Sequence, residues 1–125
     1  MACDEQGCTL LHHCVEQNLT SSLLFLLQKV LACQDKAIAS KIINSKDTKE
    51  GNTPLHYAVK YNKMEIVKLL LSFPYINVNE QNFQGNTPLH LSLNLNLEMI
   101  ARMLVQVGKA NRKIKNNNKV TPSAL

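Results

Sequence analysis

Apolar residues recur at helical spacing along most of this chain. Leu55, Ala58 and Val59 form one stripe, and Ile66, Val67, Leu69, Leu70 and Leu71 form a broader one. Upstream, Thr20 to Leu31 carries Leu23, Leu24, Leu26, Leu27, Val30 and Leu31, an amphipathic pattern that predicts a helix. Ala37-Ile38-Ala39 and Ile42-Ile43 predict an extra helical turn or a short added helix within residues 33–46. No apolar run approaches the ~18 residues a membrane-spanning helix requires.

The polar residues between these stripes repeat. Gly-Asn-Thr-Pro-Leu-His occupies Gly51 to His56 and returns at Gly85 to His90, 34 residues later. An eroded copy, Gly7-Cys8-Thr9-Leu10-Leu11-His12, lies upstream, and Lys119-Val120-Thr121-Pro122 again falls 34 residues after Gly85. Each copy is a helix start: Thr53 and Thr87 suit the N-cap, and Pro54 and Pro88 the first helical position, where a missing N–H costs nothing. Gly51 and Gly85 give the preceding turn its backbone freedom. Self-similarity at this period is the mark of a stacked repeat, in which one unit cannot bury its apolar face without the next.

A period near this length with Thr-Pro-Leu-His at each start, continued here by Tyr57-Ala58, resembles the ankyrin repeat, and Met64 to Leu71 is similar to that family's second-helix signature. The resemblance implies an all-α solenoid of helix-turn-helix units joined by β-hairpin-like turns. Its approximate repeats span 4–46, with an insertion near 33–46, then 47–81, 82–118 and a partial unit at 119–125. From Gly7 to Gly51 is 44 residues, ten more than the later spacing, so the surplus lies in the first unit. A first unit enlarged after its second helix and preceded by Asp4-Glu5-x-Gly7 resembles, in that feature, the inhibitors of NF-kappaB. Gly108-Lys109-Ala110-Asn111 resembles the family's Gly-Ala-Asp-x-Asn turn with one residue added.

Candidate chemistry is sparse. The nine carboxylates are scattered, and there is no Gly-x-Ser-x-Gly, phosphate-binding glycine loop or His-Glu-x-x-His. The expectation is no enzyme, no catalytic or cofactor-binding residue and no metal. His56 and His90 are read as structural, bonding between turns. Cys3, Cys8, His12, His13 and Cys14 crowd together as zinc ligands do, but without a Cys-x-x-Cys pair, and Cys14 stands where the repeat wants a small residue. A zinc- or thiol-dependent regulatory factor is therefore only the alternative from another class. Met1-Ala2-Cys3-Asp4 lacks the charged start and apolar core of a signal peptide, and four reduced cysteines suit an intracellular protein, cytoplasmic or nuclear.

What the resemblance implies is a non-enzymatic module that binds a protein partner, through a concave face and hairpin tips. Carried onto this chain, the tip positions are Glu5 and Gln6, Lys49 and Glu50, Phe83 and Gln84, with Cys8, Asn52 and Asn86 after each motif glycine. The exposed first-helix positions are Glu16 and Gln17, Lys60 and Tyr61, Asn94 and Leu95. Phe83 sits on an otherwise polar turn, and Tyr61 and Leu95 hold equivalent places in neighbouring units, the arrangement of an aromatic anchor ringed by polar groups.

A net charge of +5 concentrates after Glu98, where six cations meet no acidic side chain. Mostly lysine and unaccompanied by aromatic stacking platforms, these read as a solvated basic end, and argue against nucleic acid as the partner. Twelve lysines against two arginines, with fourteen asparagines, is the bias of an AT-rich genome. Viruses, intracellular bacteria, insects and protists share that bias, and an inhibitor-like or host-directed factor, masking a transcription or signalling protein, is the alternative within the binding class. The chain is expected to act as a monomer, its partner unidentified.

Overall fold

A computed structural model describes residues 10–17, 20–32, 35–47, 49–73, 75–117 and 119–121. They form seven helices: α1 (Leu10–Glu16), α2 (Thr20–Leu31), α3 (Lys36–Ile43), α4 (Pro54–Lys60), α5 (Met64–Leu71), α6 (Pro88–Asn94) and α7 (Glu98–Gln106). No strand occurs among the described residues. Helices α1, α4 and α6 pack side by side as one row. In the second row, α5 packs on α7, and each second helix lies against its own first helix.

The repeated motif builds the helix starts as its chemistry requires. Thr53 and Thr87 are extended N-caps whose hydroxyls accept from the His56 and His90 N–H groups, with proline at the first helical position. The ends are equally regular. After α4 the Asn62 N–H donates to the Val59 carbonyl and the Lys63 N–H to Ala58, and after α6 the Leu97 N–H donates to Ser92. Asn62 and Asn96 sit at φ 57° and 60°, so asparagine supplies the left-handed residue that more often is glycine. Between the rows lie Leu55, Ile66, Leu70, Leu89, Ile100 and Leu104, all fully or almost fully buried. Ala58 and Ser92 are also buried, and their small side chains permit the close helix approach.

The ten-residue surplus of the first unit is the separate helix α3. Asp35 caps it by accepting from the Ala37 and Ile38 N–H groups, and Ala39 and Ile43 are buried, with α3 packed on α2.

Backbone hydrogen bonds close each hairpin: Asp47 to Asn52, Asn82 to Asn86, Asn116 to Val120. Successive hairpins are then tied together, Phe83 N–H to Glu50 O at 2.9 Å and Asn117 N–H to Gln84 O at 3.0 Å. Asparagine side chains add a second tie. Asn82 donates to the Asn52 amide oxygen and Asn116 to that of Asn86, each at 2.9 Å. At the far side of the stack Asn44 accepts from the Asn77 N–H and Asn79 from the Asn111 N–H. Nine of the fourteen asparagines use their side chains in such ties or take a left-handed conformation. The asparagine excess is therefore structural, whatever the genome's bias.

Gly51 and Gly85 have φ of 72° and 79°, and the next hairpin lies directly on each. A Cβ on Gly51 would stand 2.5 Å from the Phe83 ring; on Gly85 it would stand 2.6 Å from the Asn117 backbone nitrogen. Lys119, at the same place in the third hairpin, has φ 61° and keeps its side chain.

Both glycines need their positive φ, but the obstacles differ: a ring can turn aside and a backbone cannot. Gly85→Ala should therefore cost more than Gly51→Ala, roughly 2–4 against 1–2 kcal/mol in urea unfolding. Phe83→Ala should recover part of the Gly51→Ala loss and none of the Gly85→Ala loss. Equal costs, or no recovery, would show that the tip contact does not govern these positions.

Candidate partner-binding surface

Among the described residues, the histidines His12, His56 and His90 are committed to the stack. His56 Nδ1 lies 3.1 Å from the Thr53 N–H and 2.8 Å from the Thr53 hydroxyl, while its Nε2 is 2.9 Å from the Asn86 carbonyl. Because the Thr53 N–H only donates and the carbonyl only accepts, Nδ1 must be bare and Nε2 protonated. His90 repeats the arrangement between Thr87 and the Val120 carbonyl, and His12 reaches the Asn52 carbonyl at 2.7 Å. Burial pushes the His56 pKa down to about 4, with the Lys46 charge acting in the same direction and the Asn86 carbonyl in the opposite one. The ring is held neutral between two repeats.

Asp47 is also structural. Its carboxylate accepts from the backbone N–H groups of Glu50, Gly51 and Asn52 and, at 2.6 Å, from the Tyr57 hydroxyl. Burial alone would raise this carboxyl, but the Tyr57 hydroxyl and the three N–H donors outweigh it and hold the pKa below the ordinary value. Cys14 is buried, and desolvation raises its thiol pKa, the reverse of what a reactive or metal-binding cysteine requires. Cys3, Cys8 and Cys33 lie outside the described residues. No group of three or more metal-ligating side chains occurs among the described ones.

Most of the expected surface residues are exposed. Glu16 and Gln17 at the end of α1, Lys49 and Glu50 on one hairpin, Phe83 and Gln84 on the next, and Asn94 are open to solvent. Glu5 and Gln6 lie outside the described residues. Asn52 and Asn86 are corrected: both are buried, at 2% and 8% exposure, because their amides and carbonyls form the inter-repeat ladder. Lys60 pairs with Glu50 at 3.6 Å and lies over the Tyr61 ring at 5.7 Å, and Tyr61 stands edge-on to Tyr57. These charges are well exposed, so the pair orders the site more than it stabilises the fold.

Three apolar side chains stand out of this polar surface: Phe83, 58% exposed, Tyr61, 40%, and Leu95, 48%. Phe83 lays its ring against Gly51, on the preceding hairpin, and leaves its other side in solvent. Tyr61 and Leu95 are the C-caps of α4 and α6, held by the left-handed asparagines that follow. Their equivalence was legible in the motif register; the seat of Phe83 on a glycine one repeat earlier had no local signal. The cations Arg102, Lys109, Arg112, Lys113, Lys115 and Lys119 are all exposed.

A family profile described as ankyrin repeats, three copies, matches residues 29–119. The chain belongs to the ankyrin repeat family. Among solved structures it is similar to the ankyrin repeat domain of Bcl-3, described as a unique member of the IkappaB protein family, with 30% identity and a TM-score of 0.80. That likeness covers 98% of this chain and 50% of the Bcl-3 chain, so the chain spans half the length of that relative. No curated protein matches the chain in sequence. Ankyrin repeats are protein–protein interaction modules and are typically non-enzymatic. No helix among the described residues is long and apolar enough to cross a membrane.

The buried ankyrin histidine gives the fold a pH dependence. In the unfolded chain His56 binds a proton near pH 6.5, and in the folded chain only near pH 4, so the unfolded state holds more protons between those values. Its contribution is complete above pH 6.5 and is lost as pH falls toward 4, by about 3 kcal/mol at one pH unit per 1.36 kcal/mol. Urea unfolding from pH 7.5 to 4 should show this slope, and His56→Gln should flatten it. An unchanged slope in the variant would remove His56 as its source.

Proposed function

We propose that the hairpin tips and first-helix ends form the surface on which this ankyrin-repeat chain holds a protein partner. The contact residues are Lys49, Glu50, Phe83 and Gln84 at the tips, with Glu16, Gln17, Lys60, Tyr61, Asn94 and Leu95 on the first-helix row. The observation that carries this reading is Phe83, a large ring more than half exposed at the head of a hairpin that needs no aromatic for its closure. A side chain of that size, seated on rigid backbone and ringed by polar groups, gives a partner much apolar area at little entropic cost. Tyr61 and Leu95 extend the surface along the next row.

Within that class, the reading we favour is a factor that masks a transcription or signalling protein, acting as a monomer. The likeness to Bcl-3, described as an IkappaB family member, and the first repeat enlarged by α3 support it. A host-directed role is its extension if the source is a virus or parasite. We divide the chain into repeats at 4–46, 47–81, 82–118 and 119–125, with α3 as the insertion of the first.

Affinity capture from cell lysate with mass spectrometry, run side by side on the native chain, Phe83→Ala and Tyr61→Ala, tests the surface. A protein retained by the native chain and lost from both variants is the expected partner. Each substitution should weaken it about tenfold or more, at ~1–2 kcal/mol per truncated anchor, with the melting curve unchanged. Retention with full affinity by both variants removes these residues from the site.

A further inference from the structure

The second-helix row carries an apolar trough that the tip surface does not use. At the start of α7, Met64 and Met99 border a hollow of about 350 Å³, which Glu98, Asn62 and Asn96 also line, so the positive rim belongs to the adjoining groove alone. Along the helix, Met99, Met103 and Val107 line a groove of about 440 Å³, bounded by Lys68 of α5 and by Arg102. Met99 belongs to both, so the two hollows adjoin. Met99 is 64% exposed and Val107 60%, and no other large apolar side chain among the described residues is more open. All three described methionines line this trough. Unbranched thioethers adapt to an apolar partner of irregular shape, which is their use on recognition surfaces.

Charge says what the trough receives. Its methionine-lined groove is rimmed by two cations. The Arg102 guanidinium makes no ion pair or hydrogen bond among the described residues, and the Lys68 ammonium has only a loose 4.0 Å contact with Glu65, both partners of that pair being well exposed. An acidic side chain would complete both. The groove follows the nine residues of α7, about 13 Å at 1.5 Å per residue, the length of two to three turns of a partner helix. A lipid surface is flat and would not enter a groove between helices. A second copy of this chain would bring the same two cations onto themselves, like charge on like charge. The geometry points to an amphipathic helix of a partner protein, its apolar stripe seated on Met99, Met103 and Val107 and its acidic flank on Lys68 and Arg102. This docking site is independent of the tip surface, and it gives the chain a second face for a second segment.

The test is nuclear magnetic resonance of the isotopically labelled full chain, titrated with two synthetic amphipathic helical peptides of one leucine pattern. One is flanked by glutamates and the other by lysines. The glutamate peptide should shift the Lys68, Met99, Arg102, Met103 and Val107 amides and bind about tenfold or more tightly than its lysine twin, a difference of ~1.4 kcal/mol. Arg102→Glu and, independently, Lys68→Glu should each narrow or reverse that order. Met99→Ser with Val107→Ser should abolish binding at an unchanged melting temperature, because both side chains are exposed. Equal binding of the two peptides overturns the assignment, as do shifts confined to Tyr61, Phe83 and Leu95. So would self-association of the chain through these residues, or their preferential binding to phosphatidylserine vesicles over the glutamate peptide.

Discussion

The stack depends on a neutral imidazole with a fixed tautomer. His56 closes its own helix start through Nδ1 and reaches the following repeat through Nε2, so one ring fixes both a local turn and a long-range contact. His12 and His90 make the same long-range reach on either side. A hydrogen bond of this kind adds about 1 kcal/mol net, but a buried ring without its partners would cost more than that. The larger effect is geometric. By tying each helix start to the next hairpin, the rings set the spacing at which Leu55 and Leu89 meet the apolar row behind them. Apolar burial supplies the driving force of the fold, and the imidazoles supply its register.

Much of this was legible in the chain because the motif encodes local chemistry. Threonine, proline and histidine at fixed offsets specify a capped helix start, and the structure has it twice within a few tenths of an ångström. The added helix α3 was equally visible from its apolar spacing. Asn52 and Asn86 were not, because a residue on a hairpin reads as exposed until the neighbouring hairpin is laid over it. The asparagine count suffered in the same way: composition suggests a genome, whereas only the superposed repeats reveal amide-to-amide rungs. The methionine trough joins Met64 to Met99 and Met103 across two repeats, and no window along the sequence brings those positions together.

The two faces of the molecule divide its chemistry. Hairpins and first helices display single apolar anchors among hydrogen-bonded polar groups, on backbone pinned by side-chain amides. The second-helix row offers adaptable methionine side chains beside Arg102 and the loosely paired Lys68. On the proposed reading, the rigid anchored surface would favour one partner shape and the soft groove would tolerate several.

Lys119 sets the third hairpin apart from the two before it. Gly51 and Gly85 leave bare the spots on which the next tip residues lie, Phe83 and Asn117. Lys119 has the same backbone conformation with its side chain in place. Lys119 therefore carries a Cβ at the position where Gly51 and Gly85 have none, so the room that seats Phe83 and Asn117 on the first two glycines is partly filled by the third hairpin's own side chain.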